Sequence, residues 1–199
     1  MRITETGVPG AYVVTPEPIT DERGNFYEAL RSAEFERVTG RPFVPVQINY
    51  SVSRRNTLRG IHGVAIPPGQ AKYVTCVRGA LRDIVVDLRV GSPTFGHYET
   101  NVLDADSGRS VYVPEGVGHG FLTLTDDACI CYALSSAHVP GTQIDINPLD
   151  RDLALPWGFA EPPLLSEKDG AAPTVAEAMS AGTLATWSEA NGGAHPVML

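Results

Sequence analysis

Pro114-Glu115-Gly116-Val117-Gly118-His119-Gly120-Phe121 sets a tight turn directly ahead of a histidine. Pro114 and Gly116 supply the turn, because proline presets φ and glycine accepts backbone angles that other residues resist. Around this stretch the chain is a series of short apolar or alternating runs broken by Gly, Pro and Asp. They fall at 11–14, 44–50, 73–77, 84–90, 98–103, Ser110–Val113, 120–125 and 129–135. Many short strands with turn residues between them predict a β-sandwich or barrel. A helix is expected over Ser32–Thr39, with Ser32 as its cap and Phe35 and Val38 three residues apart. A second is expected over 174–182, after Pro173-Thr174.

Bulk composition excludes several classes. The 199 residues are enough to bury a proper core, and a formal net charge of −8 argues against a nucleic-acid polymer as partner. No apolar run approaches a membrane span, and the first residues lack the hydrophobic block of a signal peptide, so a cytoplasmic location is expected. The three cysteines, Cys76, Cys129 and Cys131, lie in strand-like runs and read as buried free thiols of a reducing compartment.

The chemistry-bearing stretch is Leu58-Arg59-Gly60-Ile61-His62, followed by Pro67-Pro68-Gly69-Gln70-Ala71-Lys72. His62 is the side chain best suited to moving a proton near neutral pH. Lys72 and Lys168 are the only lysines against thirteen arginines, which marks them as positions where a compact ammonium is wanted. Period-two alternation puts Lys72, Val74 and Cys76 on one strand face, and Ile130 and Tyr132 on one face of a later strand. Polar groups pointing into a small barrel need partners or a function.

The 114–121 turn resembles the second cupin motif. Metal-binding cupins carry two histidines one residue apart in the first motif, and a glutamate soon after. Here His62 is followed by Gly63 and Val64, and no glutamate occurs through Gly79, so His62 and His119 are too few for a typical iron, manganese or zinc site. The expected fold is all-β, a cupin (double-stranded β-helix, jelly-roll) barrel with a few short peripheral helices and neither metal nor cofactor. Residues 1–185 form its single domain and 186–199 a flexible tail.

An ordered set of further motifs is similar to the dTDP-4-keto-6-deoxyhexose 3,5-epimerase family. It comprises Asp21-Glu22-Arg23-Gly24-Asn25-Phe26-Tyr27-Glu28, Gln47-Ile48-Asn49-Tyr50-Ser51, Leu58 to His62, Gln70-Ala71-Lys72, Asp87-Leu88-Arg89, the His119 turn, Tyr132 and Leu165-Ser166-Glu167-Lys168-Asp169. The Ala-, Arg- and Gly-rich composition further resembles members from antibiotic deoxysugar pathways.

The resemblance implies a dTDP-linked 4-keto-6-deoxy sugar as substrate, with proton removal beside the C4 ketone and reprotonation from the opposite face at C3, C5 or both. It implies His62 as base with Asp169 behind it, Lys72 stabilising the enolate, and Tyr132 as acid on the far face. Asp83 is a polar support. Binding falls to Arg23, Phe26, Glu28, Gln47, Asn49, Arg59, His119, His138, Gln143 and Lys168, with Arg23 and Arg59 on the pyrophosphate. The segment around Arg23 reaches into a neighbouring subunit, which implies a homodimer. Three departures stand out: Gly63 replaces an aromatic residue, His138 the tyrosine that stacks on thymine, and Gln143 a glutamate. The alternatives are a 3,4-ketoisomerase on the same barrel, a metal-dependent cupin, and a non-catalytic nucleotide-sugar binding protein. Because the first motif lacks its second histidine and its glutamate, activity is expected to survive exhaustive chelation; loss of activity restored by one divalent ion would overturn that reading.

Overall fold

A computed structural model describes residues 1–192. Its strands are β1 (Arg2–Glu5), β2 (Tyr12–Thr15), β3 (Ile19–Asp21), β4 (Gly24–Phe26), β5 (Gln47–Ser53), β6 (Leu58–Val64), β7 (Lys72–Arg78) and β8 (Ala80–Asp87). The remainder are β9 (Tyr98–Asp104), β10 (Ser110–Val113), β11 (Val117–Thr123), β12 (Ala128–Leu134) and β13 (Gln143–Asp145). Four short helices accompany them: α1 (Ser32–Thr39), α2 (Glu167–Gly170), α3 (Val175–Ser180) and α4 (Trp187–Gly192). No helix among the described residues is long and apolar enough to cross a membrane.

Two antiparallel sheets face each other. One runs β1-β2-β10-β7-β12-β5 and the other β13-β6-β11-β8-β9, while β3 and β4 form a separate hairpin. Their inner faces supply the cluster Val74, Cys76, Leu81, Val85, Leu103, Val111, Val117, Phe121 and Ile130, against which Tyr132 packs. Alternation along each strand puts these side chains inside. This is the double-sheet jelly roll expected of a cupin.

Part of each sheet's outer face is also covered. Leu58, Ile61, Ile84, Val86 and Leu122 pack outward against Ile146, Trp157, Val175, Ala178 and Leu184 of the C-terminal segment. On the six-stranded sheet, α1 and the loop after it bring Phe35 and Phe43 onto Val14, Tyr73 and Tyr112. Burying such a side chain contributes roughly 1.5–3 kcal/mol, so these outer clusters hold the C-terminal segment and α1 in place.

The strands at 73–77, 98–103, Ser110–Val113 and 129–135 are found nearly where alternation puts them, whereas β5 begins at Gln47 rather than 44 and β11 at Val117 rather than 120. Strand β6 was not expected as a strand, because Gly60 and Gly63 interrupt its pattern. At Gly60 the glycine has a steric reason. A Cβ on Gly60 would lie 2.6 Å from Gly120 Cα and 2.7 Å from the His119 carbonyl oxygen. Two glycines therefore let β6 and β11 cross closely at an irregular register, bringing His62 opposite His119.

Four other expectations need correction. Ser32 begins α1 but does not cap it; the cap position is Arg31, which makes no side-chain cap bond. Cys129 and Cys131 are only partly buried, since they point to the outer face of β12; all three cysteines are free thiols. The second helix is shorter than 174–182, and Thr174 and Glu177 close a full capping box at its start. Residues 187–192 of the expected tail form α4: the Trp187 N–H donates to the Val90 carbonyl at 2.9 Å, and the Arg89 guanidinium lies 4.5 Å over its ring. The rest of that segment, 193–199, lies outside the described residues.

At Gly60 the backbone also has φ +116°, where side chains are strained. Gly60→Ala is expected to destabilise the fold by about 1–3 kcal/mol or more, from strain plus the clash with β11, and urea midpoints compared with the parent measure it.

Candidate active site

Between the sheets lies a cleft of about 720 Å³, the size of a small-molecule site. Gln47, Asn49, His62, Gly63, Gln70, Lys72, Tyr132, His138 and Gln143 are among the residues that line it. A smaller recess of about 190 Å³ is bounded by Ser51, Arg59, His62, Lys72, His119, Phe121 and Tyr132. His62, Lys72 and Tyr132 belong to both linings. His62 comes from the five-stranded sheet, and Lys72 and Tyr132 from the six-stranded one, so the base candidate and the acid candidate face each other from opposite walls.

His62 is held from behind. Its Nε2 lies 2.7 Å from Asp169 Oδ1, which α2 delivers from 107 residues further along the chain. Ser166 caps α2 by accepting from the Asp169 N–H at 3.0 Å, which fixes the direction of that carboxylate. Burial pushes the Asp169 carboxyl up, but the hydrogen bond and charge of His62, the Ser166 hydroxyl and the Gly60 amide outweigh it. The acid is therefore held below its ordinary value, as a carboxylate. Such a partner fixes the tautomer and the orientation of the imidazole.

Lys72 is partly buried, and its ammonium donates to the His62 carbonyl oxygen at 3.2 Å. Burial pushes it down to about 8, against the opposing pull of Asp145. Tyr132 is enclosed by Phe121 and by His119, whose ring meets it edge-on at 6.2 Å. Burial is the main cause of a raised phenol pKa, reinforced by Asp83 and Cys129 and opposed by Ser51 and Arg59. The phenol therefore keeps its proton throughout the neutral range. His119 is itself buried, with Nε2 2.5 Å from Asp83 Oδ1.

The remaining expected residues divide into those at the cleft and those away from it. Gln47 and Asn49 bond each other at 2.9 Å, and Gln47 Oε1 accepts from the His138 N–H at 3.0 Å, so the three form one outer wall. Arg59 borders the inner recess and donates to Ser53 Oγ at 3.0 Å. Asp83 does not line the cavity; it stands behind His119. Lys168 points to Asp145 at 3.0 Å and is largely exposed. Arg23, Phe26 and Glu28 do not reach the cleft of their own chain. The hairpin β3–β4 pairs with neither main sheet, Phe26 is 66 % exposed, and Arg23 and Glu28 pair with Asp21 and Arg31.

Asp145 was missed from the sequence. It sits opposite His62 in register, with Oδ1 3.6 Å from Nε2 and a 2.7 Å hydrogen bond from the Gln143 amide. Its one local signal is the spacing Gln143-Ile144-Asp145, which alternates like a strand; three residues are too few to decide on. Together with Asp169 and His62 it forms the one group of three metal-capable side chains found among the described residues.

A jelly-roll barrel whose interior sets an imidazole–carboxylate pair against a buried phenol, with an ammonium beside them, is built to move protons, and it defines a cupin of the isomerase type. The family model described as dTDP-4-dehydrorhamnose 3,5-epimerase matches residues 5–177. The chain belongs to that family. It is 48 % identical over 188 residues to a dTDP-4-dehydrorhamnose 3-epimerase of Streptomyces niveus, covering 94 % of this chain and 90 % of the relative. A 4-keto-6-deoxy sugar epimerase from the novobiocin biosynthetic gene cluster of Streptomyces spheroides superposes with a TM-score of 0.93 at 48 % identity, over 96 % of both chains. A 3'-monoepimerase from Streptomyces bikiniensis, solved with dTDP-quinovose, gives a TM-score of 0.89 at 45 % identity, over 92 % of this chain and 93 % of that one.

Proposed function

We propose that the protein epimerises a dTDP-4-keto-6-deoxyhexose at C3. The observation that carries the reading is the placement of His62 and Tyr132 on facing walls of one recess that Lys72 also lines. The nucleotide fits the wide outer cleft, beside Gln47, Asn49, His138 and Gln143, and the sugar the inner recess. The choice of dTDP rests on the dTDP-quinovose bound by the Streptomyces bikiniensis relative. The choice of C3 rests on the 3-epimerase and 3'-monoepimerase names of two relatives.

In the proposed reaction His62 takes the C3 proton, and the electron pair of the broken C–H bond moves into an enolate whose negative charge rests on the C4 oxygen. Lys72 stabilises that oxygen, a task for which a cation in a sheltered pocket is effective. Asp169 holds the imidazolium that forms. Tyr132 then donates its phenolic proton to C3 from the other face, inverting the centre. His62 releases its proton to solvent and Tyr132 regains one, so no net proton is consumed. His119, backed by Asp83, and Arg59 complete the recess as binding groups. Gly63, His138 and Gln143 replace an expected aromatic, an expected tyrosine and an expected glutamate, which leaves the outer cleft less closely fitted to the base.

The same reading includes a homodimer. The outer face around β5 exposes Val46, Ile48, Tyr50 and Val52, each more than half accessible, and the hairpin carrying Arg23 and Phe26 stands free. A run of apolar residues of this kind favours a second copy of the chain. The hairpin would then bring Arg23, Phe26 and Glu28 to the neighbour's cleft. The protein is expected to sediment as a dimer, and Tyr50→Lys with Val52→Lys to shift it to a monomer; a monomeric parent would remove the dimer from the reading.

Incubation of a dTDP-4-keto-6-deoxyhexose in D₂O, followed by NMR, tests the reaction. Label at C3 alone is expected; label at C5 alone would refute the C3 assignment, and label at neither would refute epimerisation. His62→Ala should lower the rate by about 10²–10⁴-fold, the usual cost of losing an acid–base group. Tyr132→Phe should retain exchange at C3 while losing most inversion, whereas equal loss of both would make Tyr132 a binding residue instead.

A further inference from the structure

His62 is faced by two carboxylates. Asp169 holds Nε2 at 2.7 Å, and Asp145, from β13, approaches the same nitrogen at 3.6 Å. The Asp145 carboxylate is itself gripped on both oxygens: the Gln143 amide donates to Oδ1 at 2.7 Å, and the Lys168 ammonium lies 3.0 Å from Oδ2. Its side chain is only 19 % exposed. A carboxylate drawn this far from water is costly unless its charge is matched.

The charges around the recess show what it matches. Lys72 enters from β7 and Arg59 from β6; Tyr132, from β12, is neutral. His119 on β11 is paired with Asp83 on β8, and α2 contributes Asp169 and Lys168. With both carboxylates present, Asp145 and Asp169 offset the ammoniums of Lys72 and Lys168. When His62 takes a proton, the new positive charge is offset by the enolate. Remove Asp145, and the centre holds an uncompensated positive charge beside Arg59 before the reaction starts.

We propose that Asp145 is a positioning residue of the acid–base centre, supplying the countercharge that lets His62 and Lys72 both be positive at once, with Lys168 setting how much of that charge they feel. The inference rests on the epimerase reading for its catalytic meaning, but its electrostatic content stands on geometry: the Lys72 ammonium donates at 3.2 Å to the carbonyl of His62, the residue that Asp145 faces across the β6–β13 pair. Lys72 agrees with it: burial draws its ammonium down to about 8, and Asp145 is the group that opposes the fall. Without the Asp145 charge, Lys72 gives up its proton at lower pH; without Lys168, Asp145 acts on Lys72 undivided and the proton is held to higher pH.

Because the chain has only Lys72 and Lys168 as lysines, protein labelled with ¹³C at lysine Cε gives two signals, and Lys72→Met assigns them. In Asp145→Asn, which keeps the size and much of the hydrogen bonding, the Lys72 titration midpoint should fall by about one pH unit. Asp145→Glu should restore part of the shift, and Lys168→Met should move the midpoint upward. The alkaline limb of kcat should follow the NMR midpoint in each variant, with KM changing less than kcat. An unmoved Lys72 midpoint in Asp145→Asn, or a downward shift in Lys168→Met, overturns the proposal. A midpoint that moves while the kcat profile stays still supports the countercharge, and overturns instead the enolate role given to Lys72.

Discussion

The hydrogen bond between His62 and Asp169 joins residues 107 positions apart at 2.7 Å, and much of the molecule serves to keep it short. On one side, β6 must be strapped to β11 closely enough that His62 faces the cleft, which is why Gly60 and Gly120 meet without side chains between them. On the other side, α2 must stay docked on the barrel. A helix of four residues has no stability of its own, so its place is set by Ser166 at its start and by Leu165, Val175, Ala178 and Leu184, which pack on the outside of the five-stranded sheet. The outer apolar cluster is thus part of the site, although none of it touches the cleft.

The barrel interior divides into two regions with opposite demands. Toward β9 and β10 it is a dry core of Val, Leu and Ile, which supplies the stability. Toward the cleft it is lined by Lys72, Tyr132, His119, Arg59 and His62. Four of these groups are matched: Lys72 by the His62 carbonyl, His119 by Asp83, His62 by Asp169, and Arg59 by Ser53. The matched groups are held in fixed orientations, and a sheltered site strengthens their charges relative to water. The same shelter keeps Tyr132 protonated and makes the Lys72 charge sensitive to its neighbours.

The expected binding residues that miss the cleft carry a lesson about scale. Arg23, Phe26 and Glu28 sit on a hairpin that contributes nothing to either sheet, and within one chain they are surface residues. Within one protomer they add nothing to the rim of the cleft. The exposed face at β5 and the free hairpin are the two features that the proposed homodimer would account for.

The amino-acid sequence by itself determined the all-β architecture, most strand positions and the His119 turn, and through its family resemblance it pointed to His62, Lys72, Tyr132 and Asp169. These are local matters: alternation of side chains and turn-forming proline and glycine each act within a few residues, and the motif order is written along the chain. It did not reveal β6 as a strand, because glycines erase alternation and the purpose of Gly60, the close passage of Gly120 on β11, lies sixty residues away. Nor did it disclose the second carboxylate on His62 or the docking of Trp187 beneath Arg89. Those were decided by the tertiary structure alone. Which carboxylate reaches an imidazole, and how far burial moves an ammonium or a phenol, depends on distances between segments that only the packing of two sheets and their outer layers can set.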